Sequence, residues 1–544
     1  MEQDEFKKQQ ARRKSDMGRF LLRDAKIVDG TGSPWFRGDV ALDNGIIVDI
    51  GRDLTASGAC VIDLSGLVLV PGFIDIHSHS DDTVLMNPLA ESKIRQGITT
   101  EVTGNCGDSL APLVGAAIDS IRRDLEDCGI TPDWSSFGEY LRRIENNGTA
   151  VNIAALVGHG TIRQAVVGCE EREPSLEELA DMKTLVSKSM DEGAFGISTG
   201  LIYPPSCYAD TDEIVELARS VAEKGGIYAT HIRNEGLHVI DAVREAIAVG
   251  ERARVPVEVS HLKSGGPENK GKVREALKLI EDVRRQGIDI SCDVYPYVAS
   301  STGLSVILPN WVFGGGDEKA LERLRDKDTL SGIRRQVEEE EGLKLGWDKT
   351  VISSVRKEQN KAFEGKNLSE IAKITGKDPF TAAIDLLIDE ALCVQVVRFI
   401  MCEEDVTFAL GSRLSSIGTD ASSRAPYGFL GMGKPHPRAY GTFPRVLGKY
   451  VRDMGILRLE EAVRKMTSLP ARRLGLWNRG LIRPGMVADL VAFDPDTVED
   501  RATYTDPHRY PVGIIWVIVS GTPVVEQGEH TGLLPGKVLR SNRR

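Results

Sequence analysis

Eight short apolar runs recur between residues 68 and 420, and each closes on a residue that could bind or shape a ligand. Val68–Ile76 leads into His77-Ser78-His79, Ile98–Asn105 into Cys106, Val151–Gly158 into His159, and Ala194–Thr199 into Gly200. Gly226–Thr230 leads into His231, Val255–Ser260 into His261, Ile288–Val294 into Tyr295, and Leu414–Thr419 into Asp420. Helix-patterned segments lie between them, among them Leu176–Ser189, Thr211–Lys224, His238–Ala253 and Lys272–Arg285. The step from His231 to His261 is 30 residues, the length of one strand, one helix and their loops. Strands alternating with helices build a parallel sheet, and eight of them can close a barrel whose chemistry sits at the strands' carboxyl ends. The expected fold is therefore α/β, a (β/α)8 TIM-like barrel. A doubly wound sheet would give no reason for a ring of donors at the strand ends.

His77 and His79 are spaced i, i+2, and alternate residues of a strand point to one side, so both imidazoles can converge on one point. Only nine histidines occur in 544 residues, and four of them close apolar runs as candidate ligands. Each residue has a plainer reading by itself: a core histidine, a free cysteine that packs like a small hydrophobe, an aspartate in a turn. Together, His77, His79, Cys106, His231, His261 and Asp420 supply nitrogen, sulfur and oxygen for one or two zinc-like ions. Arg233 and Glu235 share the phase of His231 and are expected to orient the ligands from behind. His159 has two open readings, a bond to a reacting oxygen or simple packing.

Two steps run long. Cys106 to His159 spans 53 residues, and Tyr295 to Asp420 spans 125, roughly 95 more than one βα unit of such a barrel needs. The excess holds Gly314-Gly315-Gly316 and the charged run Glu338–Glu341. It reads as a lid-like insertion over residues 303–400, between the seventh and eighth barrel strands. Outside the barrel (residues 71–475), residues 19–70 and 476–535 alternate short β-rich pieces with turns, which predicts one small β-sandwich built from both termini.

Composition excludes several classes of partner. The formal net charge is −12, with no basic block beyond Arg12-Arg13-Lys14, so nucleic acid is not expected. The eight cysteines show no paired spacing, which suits a reducing cytoplasm. The first 18 residues carry no apolar core of a signal peptide, and no run is long enough to span a bilayer. Gly428–Lys434 fits the phosphate-loop spacing, but Pro435 follows where a Ser or Thr hydroxyl is required, so nucleotide binding is rejected there.

The motifs PGFIDIHSHSD (71–81), GITTEVTGNCG (97–107), ATHIRNEG (229–236), EVSHLK (258–263), DVYPYVASST (293–302), IGTDA (417–421) and HPRAYGTFPRVLG (436–448) resemble the amidohydrolase superfamily. Within it the chain is similar to the N-acyl-D-amino-acid deacylases (D-aminoacylases), from about residue 19 to residue 527. The resemblance implies a tightly held zinc on Cys106, His231 and His261. It also implies a second, weaker site on His77 and His79 that shares Cys106 and Asp420, with Cys106 where many relatives bridge two metals by a carboxylated lysine. Asp420 would carry the catalytic proton. Lys263, Tyr295 and Arg438, with Ser301 as a lesser candidate, would bind the carboxylate of a small-molecule N-acyl amino acid. A cyclic-amide hydrolase of the hydantoinase or dihydroorotase type, and a non-catalytic assembly protein on the same barrel, stand as alternatives. Side-chain preference and oligomeric state are not readable from the sequence.

Overall fold

A computed structural model describes residues 18–55, 57–339 and 346–541. The charged segment before Gly18 and the end of the 338–341 run lie outside the described residues. The described residues open with five strands: β1 (Arg19–Ile27), β2 (Phe36–Asp43), β3 (Ile46–Gly51), β4 (Cys60–Asp63) and β5 (Val68–Pro71). β1, β2 and β3 are antiparallel neighbours, whereas β4 and β5 both run parallel to β1. β1 can hold both because it bulges between Leu22 and Ala25, where Asp24 adopts φ 55°. β4 pairs before the bulge and β5 after it.

The run Val68–Ile76, expected as one strand, is two. β6 (Phe73–Asp75) leaves the terminal sheet and pairs in parallel with β7 (Ile98–Thr103). Gly72 makes the transfer. Its N–H donates to the Asp489 carbonyl (2.7 Å), and a Cβ there would collide with the Thr99 side chain, so only glycine fits against β7 at this point.

Beyond β7 come β8 (Asn152–Ala155), β9 (Val157–Gly158), β10 (Gly196–Gly200), β11 (Ile227–His231), β12 (Val257–Val259) and β13 (Ile290–Val294). β7 pairs with β8, and β9 through β13 form parallel neighbours in chain order. These strands are buried along their whole length, as expected where both faces are covered. The connecting helices match their predicted positions. Val239–Ala253 buries Val239, Ala242, Val243, Ala246 and Ile247, the spacing of an apolar helical stripe. Leu176–Asp191 starts on a capping box between Ser175 and Glu178.

The segment after β13 makes a small antiparallel sheet, with β14 (Ser300–Gly303) and β15 (Thr350–Ser354) flanking β16 (Gln395–Arg398). It has its own apolar cluster, which includes Leu304, Ile333, Ile352, Leu368, Ile384 and Leu387. The chain then returns as β17 (Ser415–Ile417), parallel to β13. At its end Ser78 bridges Ala421, and the Asp420 N–H donates to the His77 carbonyl at 2.8 Å, so the first and eighth runs adjoin. The glycine-rich loop 428–434 docks on the inserted sheet through the Lys434 N–H and the Ser353 carbonyl (2.6 Å).

The C-terminal strands β18 (Leu490–Phe493), β19 (Ile514–Val519), β20 (Thr522–Glu526) and β21 (Glu529–His530) pair antiparallel in turn, and β18 lies against β5. Both ends of the chain thus share one nine-stranded sheet.

Candidate metal centre

The turns after β7, β12 and β17 bend one side chain each back over the strand ends. Cys106 (φ 53°), His261 (φ 35°) and Asp420 (φ 50°) all lie in the left-handed region, which non-glycine residues adopt at a cost of about 1–3 kcal/mol each. Such strain persists only where the surroundings over-determine it. Here it turns three donors toward one point.

Cys106 is the hub. Its Sγ lies 3.3 Å from His77 Nε2, 3.6 Å from His231 Nδ1 and 3.5 Å from His261 Nε2. Asp420 Oδ1 lies 3.1 Å from His79 Nε2 and 3.5 Å from His77 Nε2. Two donor sets follow, His77/His79/Cys106/Asp420 and Cys106/His231/His261, with ligand atoms within 4.8 Å of one another. Around a tetrahedral zinc, with sulfur at about 2.3 Å and nitrogen at about 2.0–2.1 Å, ligand atoms stand roughly 3.5 Å apart. The Cys106–His231–His261 spacing fits that geometry, and the donor chemistry suits zinc.

Electrostatics favour the charged thiolate. Burial pushes the Cys106 thiol up, but the imidazoles of His77 and His261 and hydrogen bonds from His231 and His261 outweigh it and hold the thiol well below its ordinary value. Burial likewise opposes ionisation of Asp420, and the Arg438 guanidinium overcomes it. Arg438 Nη1 sits 2.7 Å from Asp420 Oδ2 as an ion pair whose angle is not that of a hydrogen bond.

Behind the ligands stand acceptors that set their ring orientation. Asp293 Oδ2 faces His77 Nδ1 at 3.3 Å, and its Oδ1 accepts the His261 backbone N–H at 2.9 Å. Glu235 reaches His261 Nδ1 at 3.0 Å and His231 Nε2 at 3.5 Å, as expected of it. Arg233 does not join it. Its guanidinium turns away to Glu245 and to the carbonyls of Cys207 and Ala209, because a carboxylate on the following helix competes for it. His159 packs: fully buried, it bonds Ser206 Oγ at 2.8 Å and Glu213 Oε1 at 2.9 Å. Asp293 was missed, although a lone aspartate inside the apolar run Ile290–Val294 is a signal.

Above the donors opens a cavity of about 620 Å³, whose walls include His79, Tyr203, Lys263, Ser301, Arg398 and Arg438. Lys263 Nζ is held by Glu235 Oε1 at 2.5 Å and lies 2.7 Å from His261 Nδ1. Tyr295 sits beneath both cations, its ring 5.7 Å from Lys263 Nζ and 4.9 Å from the Arg438 guanidinium, with its buried hydroxyl unpaired. The Ser301 carbonyl accepts from Arg438 Nη2 at 3.4 Å. All ten residues singled out as ligands or carboxylate binders therefore meet at one place.

The amidohydrolase family model matches residues 60–296 and 417–525. This chain belongs to the amidohydrolase family. The match breaks across β14–β16, the stretch with its own sheet. A D-aminoacylase of Alcaligenes xylosoxydans xylosoxydans is 39% identical over 519 residues, covering 95% of this chain and 97% of that protein. An N-acyl-D-aspartate deacylase of the same organism is 37% identical, covering 96% and 94%. The solved N-acyl-D-glutamate deacylase of Bordetella bronchiseptica, complexed with zinc and a phosphonate mimic of the tetrahedral intermediate, superposes with TM-score 0.82. It is 35% identical, and the alignment covers 96% of this chain and 99% of that one. Within the amidohydrolases, the chain stands with the D-aminoacylases.

Proposed function

We propose that the protein is a zinc-dependent hydrolase that splits N-acyl-D-amino acids into a carboxylate and a free D-amino acid. The observation that carries this reading is Cys106, a single thiolate common to two donor sets, facing a cavity walled by Lys263 and Arg438. The architecture read with it is a closed (β/α)8 barrel over residues 71–475, supported by the Ser78–Ala421 bridge. Residues 19–70 with 476–535 form the flanking β-sandwich unit, and residues 303–400 form a lid on the cavity, supported by Ser353, Ser354, Gln395 and Arg398 in its wall.

Cys106, His231 and His261 hold the tight zinc; His77, His79, Cys106 and Asp420 form the weaker site. Bound zinc supplies Lewis acidity toward the scissile carbonyl and toward water. Asp420, kept ionised by Arg438, takes the proton of the attacking water and returns it to the leaving amine nitrogen. Lys263, Arg438, the free Tyr295 hydroxyl and Ser301 bind the substrate carboxylate, which positions the amide over the donors. The partner is a small molecule. Among the described residues no helix is long and apolar enough to cross a membrane.

The test is metal analysis of the purified protein with amine release from N-acetyl-D-methionine, N-acetyl-D-glutamate and their L enantiomers. Near-stoichiometric zinc with release from D substrates alone is expected. Zinc without release from any of the four would transfer the reading to cyclic amides. Neither metal nor release would sink the ligand set and favour an assembly protein.

A further inference from the structure

Four cations line the cavity wall, Lys263, Arg398, Arg424 and Arg438, and they differ in what already acts on them. Asp82 is the carboxylate that acts on Arg424. Lys263 is paired with Glu235, and Arg438 with Asp420. Arg398, from the end of β16, has no such mate: its Nε is buried without a hydrogen-bond partner. Glu235, the carboxylate that acts on it, does so at longer range. Burial accordingly pulls its guanidinium below the ordinary arginine value, with Glu235 and the Tyr203 hydroxyl opposing. Holding a guanidinium partly desolvated and unpaired costs stability. An incoming anion would recover that cost.

The strand pairing places this cation. Arg398 stands opposite Ser300 in the β14–β16 ladder, and directly opposed residues have Cβ atoms about 4.5–5.5 Å apart. The next residue on β14 is Ser301, whose carbonyl holds Arg438. One short strand therefore spaces two arginines along the cavity, one beside the carboxylate site and one a side chain's length away. The cavity wall that Arg398 shares is mixed, with Thr302, Ser353, Ser354 and Gln395 beside Val306 and Ile400.

We infer that Arg398 is the specificity-determining residue for the amino-acid side chain, and that the substrates are N-acyl-D-amino acids whose side chain ends in a carboxylate. This rests on the deacylase reading above and deepens it. The α-carboxylate engages Arg438 and Lys263, the side-chain carboxylate takes the unpaired guanidinium of Arg398, and the amide is left between them over the donors.

The experiment compares kcat/KM for N-acetyl-D-glutamate and N-acetyl-D-aspartate with that for N-acetyl-D-methionine, in the parent protein and in Arg398→Leu and Arg398→Lys. The parent is expected to favour the acidic substrates. The acidic-to-neutral ratio should fall about 10- to 100-fold in Arg398→Leu, the loss expected for one charged hydrogen-bonding partner. Arg398→Lys should restore part of it, because the charge remains while the planar fork is lost. A parent that prefers methionine overturns the assignment and leaves the deacylase reading standing. So does an acidic-to-neutral ratio unchanged in Arg398→Leu, whether rates on both substrates fall together or hold. Release from none of the three substrates overturns the deacylase reading itself.

Discussion

Two buried polar clusters lie one above the other at the junction of the first and eighth strand runs, and they are built on opposite rules. In the lower one Lys93, fully buried, donates to Asp75 Oδ2 (2.7 Å), Thr419 Oγ1 (2.8 Å) and the Ala421 carbonyl (2.8 Å), and lies 3.2 Å from Glu101. Ser78 and Ser80 complete it through Glu101 Oε2, and Asp75 Oδ1 accepts the Thr419 N–H. Nearly every polar atom has a partner; the acceptor Oε1 of Glu101 is the exception. In the upper cluster three imidazole nitrogens crowd one sulfur, on a backbone that is left-handed at Cys106, His261 and Asp420. The contrast teaches how to tell scaffold from site. Polar groups that satisfy one another fasten strands, whereas donors that face one another under strain are arranged for something that comes from outside.

Removing one group from each cluster separates the two roles. Asp420→Asn keeps the shape and loses the proton carrier, so turnover should fall by about 10²–10⁴ while zinc stays on Cys106, His231 and His261. Turnover near the parent rate, read beside metal content, would break the assignment. Lys93→Met leaves Asp75 and Glu101 as uncompensated buried carboxylates and should lower the unfolding free energy by about 3–5 kcal/mol in urea titrations. A loss under about 1 kcal/mol would show that the lower cluster fastens nothing.

A smaller effect should appear as pH dependence. Burial pushes the Glu258 carboxyl up to about 7, with Arg473 and the Ser291 hydroxyl pulling against it, and its Oε1 has no partner. An unfolded glutamate titrates near about 4.3, so across that window the folded protein binds the proton more tightly. Stability should therefore fall as pH rises from about 4.3 toward about 7 and level off above. Glu258→Gln should flatten that slope in unfolding curves taken at both ends of the window; equal slopes in parent and variant would mean that Glu258 is ionised throughout. Smallest, Glu235→Gln should weaken zinc binding about 10- to 100-fold in chelator competition. An unchanged affinity would reduce Glu235 to a partner of Lys263.

The sequence was most informative where strand chemistry is local. An apolar run closed by His, Cys or Asp predicts the strand, and the six donor side chains do come together. At Cys106, His261 and Asp420, however, a left-handed turn past the strand, and not strand phase, aims the side chain. It was least informative where partners come from far along the chain. Nothing local to Arg233 signals that Glu245 claims it, and nothing around His159 announces Glu213. The division of Val68–Ile76 was foreshadowed by Pro71-Gly72, which ends one strand's ladder before the next begins. The bulge in β1 that lets two parallel partners share it carries no comparable mark. Arg398 was overlooked because it closes a strand of the insertion, outside the 30-residue rhythm that organised the rest.

The passage through Gly72 also has a consequence in time. β5 lies between β1, made early, and β18, made more than four hundred residues later, and the Gly72 N–H waits for the carbonyl of Asp489. A nascent chain that has already exposed His77 and His79 still presents Val68–Pro71 as a bare strand edge, open to pairing with whatever is nearby. The first ligands to be synthesised are thus among the last to be secured. A chain cut short before its final strands would lose the strand that pairs with β5, just ahead of His77 and His79, although every donor had been made.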